Sequence, residues 1–374
     1  MPEWEIRPLS DVVQLQRGHD LPSSDRRDGD VPIIGSFGIT GFHDVARYRG
    51  PGVGIGRSGA SIGKATYVAD DYWPLNTCLF VSDFKRNDPR WVYRFLDRID
   101  FQAFNSGSAQ PSLNRNFLRM IPVAVPSLAE QQAIAEVLGA LDDKIAANTA
   151  VAYKAEELAS LVYDLVTASW PRVPLSELLD PVLGGTPSRS REDYWADGAD
   201  LWISARDITS APMHVLLDTA EKITESAITT TKAKPLPTGS VILTARGTVG
   251  EVARLVRPAS FNQSCYGFRP ERIPPSLLFF SILCATERAK AIAHGSVFDT
   301  ITKSTFDDLS LAWDSESADH AESAIAPLLD AVTGAIEENR TLAATRDALL
   351  PQLMSGKLRV RNLDDLRSEE NNHE

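Results

Sequence analysis

Cysteine is scarce: Cys78, Cys265 and Cys284 are the three in 374 residues. They stand far apart without C-x-x-C spacing, which argues against a disulfide framework or a zinc site and fits a reducing cytoplasm. The six histidines show no H-x-x-x-H or H-E-x-x-H spacing, so no metal ligand is assigned. No run of about 18 consecutive apolar residues offers a membrane span. The N-terminus, MPEWEIRPLSDVV, lacks the basic-then-apolar order of a secretory signal. A G-x-S-x-G nucleophile elbow and a G-x-G-x-x-G turn are also missing, which removes the commonest hydrolase and dinucleotide readings.

One glycine-rich run comes close to a phosphate loop. GRSGASIGK at 56–64 ends in Gly63-Lys64, but Ser58 stands where the first glycine belongs and Ala65 follows the lysine. The motif needs both ends to wrap an anion and a magnesium ion, so an independent NTPase is rejected. LDDKIAAN places Asp142 and Asp143 beside Lys144, as some nuclease sites do. They fall on a long helix between its apolar positions, however, and read as a solvated face; Asp299 and Lys303 read as loop residues. No catalytic residue is assigned.

Net charge is −12, with an uneven distribution. Residues 1–127 sum to about +1 and 170–315 to about −2, whereas 128–169 and 316–374 carry about −5 and −6. The two larger blocks are near neutral and free to present basic loops.

The chain repeats itself at a period of about 170–190 residues. WEIRPLSDV at 4–12 returns as WPRVPLSEL at 170–178. GVGIGRSGASIGKATYV at 52–68 returns as GSVILTARGTVGEVARL at 239–255, pairing Arg57 with Arg246 and Gly63 with Gly250. PLNTCLFV at 74–81 matches SFNQSCYGF at 260–268, and SGSAQPSLNRNFL at 106–118 matches HGSVFDTITKSTF at 294–306. AIAEVLGALDDKIAAN at 133–148 returns as AIAPLLDAVTGAIEEN at 324–339. Each copy is a mixed block of short β-branched runs and short helical stretches followed by a long helix.

Both long helices keep alternating apolar steps of three and four. The first seam is Ile134, Leu138, Leu141, Ile145, Asn148, Ala152, Ala155, Ala159, Val162 and Val166. The second is Ile325, Leu329, Val332, Ile336, Asn339, Ala343, Arg346, Leu350 and Leu353. Such spacing holds one stripe toward a partner helix, and each copy supplies the other's partner. Asn148 and Asn339 occupy matching mid-helix positions, so an antiparallel pair is expected to bring them face to face. Pro351 is expected to kink the last turns of the second helix.

The expected fold is α+β: two duplicated mixed α/β domains separated by two long helices in an antiparallel coiled coil, with pseudo-two-fold symmetry. The boundaries are 1–127 for the first domain, 128–169 for the first helix, 170–315 for the second domain and 316–361 for the second helix. Residues 362–374 are expected to be a disordered tail.

These segments together resemble the DNA-specificity subunit of type I restriction–modification systems over about residues 4–361. The resemblance rests on VPIIGSFGITGFHD and GRSGASIGK in the first block, and on GGTPSRSREDYW, LWISARDI and LPTGSVILTARGTVGEV in the second. VPSLAEQQAIAEVLGALDDKI and LLPQLMSGKLRV complete it on the helices. It implies two target-recognition domains reading the halves of a bipartite double-stranded DNA sequence, with the helices as spacer. It also implies docking of two methyltransferase subunits, joined by restriction (translocase/nuclease) subunits. Chemistry would belong to those partners, with S-adenosylmethionine, ATP and magnesium as their cofactors and none in this chain. The junction LAWDSESADHAES departs from the family in lacking a proline-rich lead into the helix. The alternatives are a methylation-only complex and a protein scaffold that binds no DNA.

Arg and Lys bind phosphate, Arg brackets guanine edges, and Asn and Gln read adenine. On that chemistry the first-block candidates are Arg57, Ser58, Lys64, Asn105, Gln110, Asn114 and Arg115. In the second block they are Ser188, Arg189, Arg206, Lys232, Lys234, Arg246, Thr302 and Lys303. Each competes with a reading as solvated charge or turn-former. Gly59, Gly63, Gly247 and Gly250 read as backbone requirements.

Overall fold

A computed structural model describes residues 4–104, 113–292 and 300–360. Asn105, Gln110, Asp299 and the expected disordered tail lie outside the described residues. The chain divides into two compact units, Met1–Asp143 with Leu342–Glu374, and Lys144–Thr341.

The first unit contains β1 (Glu5–Pro8), α1 (Leu9–Val12), β2 (Gln14–Arg17), β3 (Val31–Gly35), β4 (Gly38–His43), β5 (Gly52–Gly56), β6 (Ala65–Val68), β7 (Trp73–Pro74), β8 (Cys78–Asp83), α2 (Pro89–Asp97), α3 (Arg115–Leu118) and β9 (Pro122–Val125). They form sheets of order β2-β8-β5-β6, β4-β3-β7 and β1-β9. The glycines of GVGIG have a packing reason. Strand alternation puts Gly52, Gly54 and Gly56 on one face. There a Cβ would meet the Tyr72 ring at 2.3 Å, Ile34 at 2.6 Å and the Ser61 carbonyl at 2.0 Å. Only bare backbone lets β5 approach these neighbours. Helix α2 begins where Asp88 accepts the Trp91 N–H at 2.9 Å and Pro89 occupies the first turn, satisfying or removing orphan donors.

After β9 the chain enters α4 (Leu128–Thr167), a single 40-residue helix. The chain continues in the second unit with β10 (Arg172–Pro174), α5 (Leu175–Leu178), β11 (Val182–Leu183), β12 (Asp200–Ile203), α6 (Ala205–Thr209), β13 (Val215–Leu216), β14 (Glu221–Ile223), α7 (Glu225–Thr230), β15 (Val241–Thr244), β16 (Val252–Leu255), β17 (Ser260–Phe261), β18 (Cys265–Phe268), α8 (Pro275–Ile292) and β19 (Ser310–Ala312), and ends in α9 (Ala318–Leu353), whose residues from Leu342 belong to the first unit. The second unit's sheets are β11-β18-β15-β16-β13, β14-β12-β17 and β10-β19. Strand for strand this is the first unit's order, with β13 added at one edge. The duplication read from the sequence is therefore a duplication of topology.

Within each unit the segments of α4 and α9 run antiparallel. In the first, Ile134 and Leu138 share a core with Leu349, Leu350 and Leu353, together with Val53, Leu79, Trp91 and Phe101 of the mixed block. In the second, Ala152 packs with Val332 and Ala335, and Ala159 with Ile325 and Leu329. Partner numbers fall as α4 numbers rise, and every seam position is buried or half-buried. The coiled-coil spacing holds, but each stretch of helix pair also closes the core of a mixed block.

One expectation gains detail and two change. Asn148 and Asn339 stand at the same level but do not bond one another. Asn148 donates to Glu338 at 2.7 Å, while Asn339 donates to Thr149 Oγ1 at 3.0 Å and the Ile145 carbonyl at 3.3 Å. A carboxylate one residue away is the better acceptor for an amide N–H, and Lys144 supports it at 3.3 Å. Asp142 and Asp143 are not merely solvated. Arg94 and Arg346 both donate to Asp142, and Arg90 forks onto Asp143 at 3.0 and 3.1 Å. Finally, α9 stops at Leu353, two residues past Pro351, and Gly356 takes φ +70° to turn the chain away.

Candidate nucleic-acid interface

In the first unit β5 runs into the loop 57–62, which the backbone closes on itself. Gly56 N–H donates to the Lys64 carbonyl at 2.9 Å, Gly63 N–H to Gly56 at 3.0 Å and Lys64 N–H to Ser61 at 3.0 Å. These donors are turned inward on carbonyls, where a phosphate loop would aim them at an anion. The loop thus departs from a phosphate loop in geometry as well as in sequence. Gly59 and Gly63 sit at φ +73° and +81°, as backbone requirements do.

Two further segments are tied to this loop. Arg57 N–H donates to the Thr77 carbonyl at 3.2 Å, which also accepts the Ser36 hydroxyl at 2.7 Å. Leu113 N–H donates to the Arg57 carbonyl at 2.9 Å, bringing Asn114 and Arg115 alongside. Asn114 caps α3 through Asn116 N–H at 3.0 Å. Beyond it lies a cleft of about 370 Å³ whose charged lining is Lys85, Arg115 and Arg119, of which Lys85 is paired with Asp83 at 3.5 Å. That electrostatic character suits a phosphate.

The second unit repeats the bonds. Thr244 N–H donates to the Glu251 carbonyl, Gly250 N–H to Thr244, Ala245 N–H to Ser264 and Ile301 N–H to Ala245, at 2.8–2.9 Å. Matching donor to donor makes Gly56 equivalent to Thr244, Lys64 to Glu251 and Gly63 to Gly250. Arg57 is then equivalent to Ala245, and Arg246 to Ser58. This corrects the sequence alignment, which paired the two arginines. The second loop is one residue shorter, and a gap inside a glycine-rich stretch cannot be placed by residue identity.

The structure sorts the candidate side chains. Arg57, Lys64, Arg115, Arg206, Lys232 and Arg246 form no side-chain hydrogen bond or ion pair among the described residues. Lys64, Arg115, Arg206, Lys232 and Arg246 are exposed, and Arg57 is half-buried. Arg189 is committed elsewhere. It forks onto Glu221 at 2.5 and 2.9 Å and lies 3.7 Å from the Trp195 ring centroid. The carboxylate hydrogen bond raises the arginine's pKa, and the arginine lowers that of Glu221. Lys234 closes the end of α7 by donating to the Ile228 and Thr229 carbonyls. Ser188 bonds Ser190, its carbonyl accepts the Trp195 indole, and Thr302 organises a turn with Ser304 and Thr305. Lys303 makes a solvated contact with Asp180 at 3.5 Å.

Phe37 is not among the candidates that the sequence offers. It stands at the tip of the β3–β4 hairpin, 73% exposed. The cue in the sequence was the flanking Ser36 and Gly38, which make it a turn residue. Among the described residues no group of His, Cys, Asp or Glu could hold a metal ion, and no helix is long and apolar enough to cross a membrane.

Comparison with known proteins agrees with this architecture. The family model for the type I restriction modification DNA specificity domain matches residues 1–156 and again 168–341. A Haemophilus influenzae protein described as a type I restriction enzyme specificity subunit is 27% identical over 144 residues, 37% of each chain. The MjaIX specificity subunit of Methanocaldococcus jannaschii is 25% identical over 154 residues, 40% of this chain and 35% of its own. The chain thus spans little more than a third of the length of the curated relatives it matches. The crystal structure of a type I restriction–modification S subunit from M. genitalium superposes with a TM-score of 0.68 at 14% identity. That match covers 94% of this chain and 96% of the other, and it speaks for the fold.

Proposed function

The chain belongs to the family of type I restriction modification DNA specificity domains, and from that premise we propose that it is a DNA-recognition subunit without chemistry of its own. Each unit reads one half of a bipartite target, and the paired helices set the gap. The helices also dock two methyltransferase subunits, to which restriction subunits attach. S-adenosylmethionine, ATP and magnesium serve those partners.

The observation that carries this reading is the repeated loop frame with unpaired cations on or beside it, Arg57 and Lys64 on the loop of one unit, Arg246 on the loop of the other and Arg206 on its helix α6. A folded protein normally neutralises clustered charge locally, as Arg189 does with Glu221. Cations left unpaired beside a backbone-bonded loop are available to phosphate and to guanine edges. The test is selection from fully randomised duplexes by the chain assembled with its methyltransferase subunits. Two short motifs at a constant gap are expected. A single uninterrupted motif, or no enrichment, overturns the reading.

A further inference from the structure

We propose that Phe37 and Arg206 are base-reading side chains at one and the same place in the repeated frame. Phe37 contacts a thymine methyl in one half-site, and Arg206 brackets a guanine in the other. The inference rests on the DNA-recognition reading above and adds the chemistry of the two half-sites.

The equivalence comes from backbone bonds. Leu75 N–H donates to the Ile34 carbonyl at 2.8 Å, and Asn262 N–H to the Ile203 carbonyl at 2.9 Å. Ile34 pairs in parallel with Pro74, as Ile203 does with Phe261. Ile34 and Ile203 are therefore the same position, and Phe37 and Arg206 each stand three residues beyond it. Both lie beside the loop already described. In the first unit Ser36 shares the Thr77 carbonyl with Arg57 N–H, and the missing Cβ of Gly56 leaves room for the Ser36 carbonyl 2.6 Å from where it would stand. In the second, the turn that receives Ala245 N–H at Ser264 also bonds the end of β12 through Asn262.

Both side chains are presented rather than packed. Phe37 belongs to a two-residue turn closed by the Gly35–Gly38 pair, with Gly38 at φ +101°. It joins none of the hydrophobic clusters among the described residues. Nothing in folding calls for a phenyl ring there, since turn positions of this kind suit small polar residues. Arg206 stands in the first turn of α6, where the neighbouring acid is already used. Asp207 accepts from Ser204 N–H at 2.8 Å, the Ser204 hydroxyl at 2.6 Å and Ala220 N–H at 3.0 Å. The capping box holds the helix start rigid while leaving the guanidinium unneutralised.

The two side chains can read different things. A phenyl ring has no donor for phosphate or base edges, so its selective major-groove contact is the C5-methyl group of thymine. A guanidinium matches guanine O6 and N7 with two parallel bonds. One frame thus yields an A·T-selecting position in one unit and a G·C-selecting position in the other.

The test combines variants with altered bases. From fully randomised duplexes, the assembled complex carrying Phe37→Ala should lose preference at one A·T pair of one half-site, with the other half-site unchanged. Arg206→Ala should lose one G·C pair of the other half-site. Replacing the implicated thymine by deoxyuridine should weaken wild-type binding about 4-fold, the worth of one methyl-sized group, and leave Phe37→Ala unaffected. Replacing the guanine by 7-deazaguanine should weaken wild type about 10-fold or more and leave Arg206→Ala unaffected. Phe37→Leu, which keeps an apolar contact, should keep the thymine preference and guards against loss through misfolding. If wild type selects a bipartite motif and both variants select it unchanged, the inference fails while the functional reading stands. Loss of both half-sites together in either folded variant also overturns it. Failure of wild type to select any motif overturns the recognition reading, and this assignment with it.

Discussion

Asp142 links three elements of the first unit: α2 through Arg94, α9 through Arg346, and its own helix α4. Asp142→Asn keeps the volume and one acceptor but removes the charge. Arg94, whose side chain is only 9% exposed, would then be a buried cation without a hydrogen-bonded carboxylate, Asp97 and Asp347 acting on it only through space. Burial already lowers its pKa. Breaking a buried pair from one side costs about 3–5 kcal/mol. Asp142 is 33% exposed and Arg346 25%, so water recovers part of this. The asparagine retains a weaker hydrogen bond, and about 2 kcal/mol remains. By linkage that is roughly a 30-fold rise in local opening. Amide hydrogen exchange reads it directly: residues 89–97 and 342–353 should exchange about 30-fold faster, while β15 and α8 serve as an internal reference. Replacing the trio by Met, Leu and Met at 94, 142 and 346 should restore protection, because an apolar cluster needs no counter-charge. Protection within about 3-fold of wild type in Asp142→Asn, or equal loss in both units, would refute the reasoning.

Gly56→Ala drives a Cβ to 2.0 Å from the Ser61 carbonyl and should cost about 3 kcal/mol in a thermal melt. Gly59→Ala meets nothing within 4 Å and should cost only about 1 kcal/mol, for its φ of +73°. Burial raises the Cys78 and Cys265 thiols to about 12. At pH 8 their thiolate fraction is therefore about 10⁻⁴, and iodoacetamide should label them only after denaturation. Because the folded pKa lies above the unfolded one, these thiols should also cost stability as pH rises from about 9 toward 12, visible as a falling melting temperature.

How much of this was legible in the residues divides along a physical line. Features that repeat along one segment could be read. The 3-4 seam predicted two long paired helices because a helix returns each face every turn or so. The five recurring stretches predicted a duplicated fold because both copies answer the same packing demands. The turn glycines at 59, 63, 247 and 250 take the positive φ expected of them. Features that depend on which distant segment arrives beside a residue could not be read. The loop gap that makes Arg57 equivalent to Ala245 appears only in bonds reaching Thr77, Leu113, Ser264 and Ile301. The preference of Asn148 for Glu338 depends on side-chain reach across the pair. Arg189 and Arg246 look alike as letters, yet Glu221 lies within reach of one and no carboxylate among the described residues pairs with the other. Sequence alone determined the periodicities, and hence the helices, the repeat and the family. Tertiary structure decided partnership, because hydrogen bonds and ion pairs are settled over a few ångströms between residues tens of positions apart.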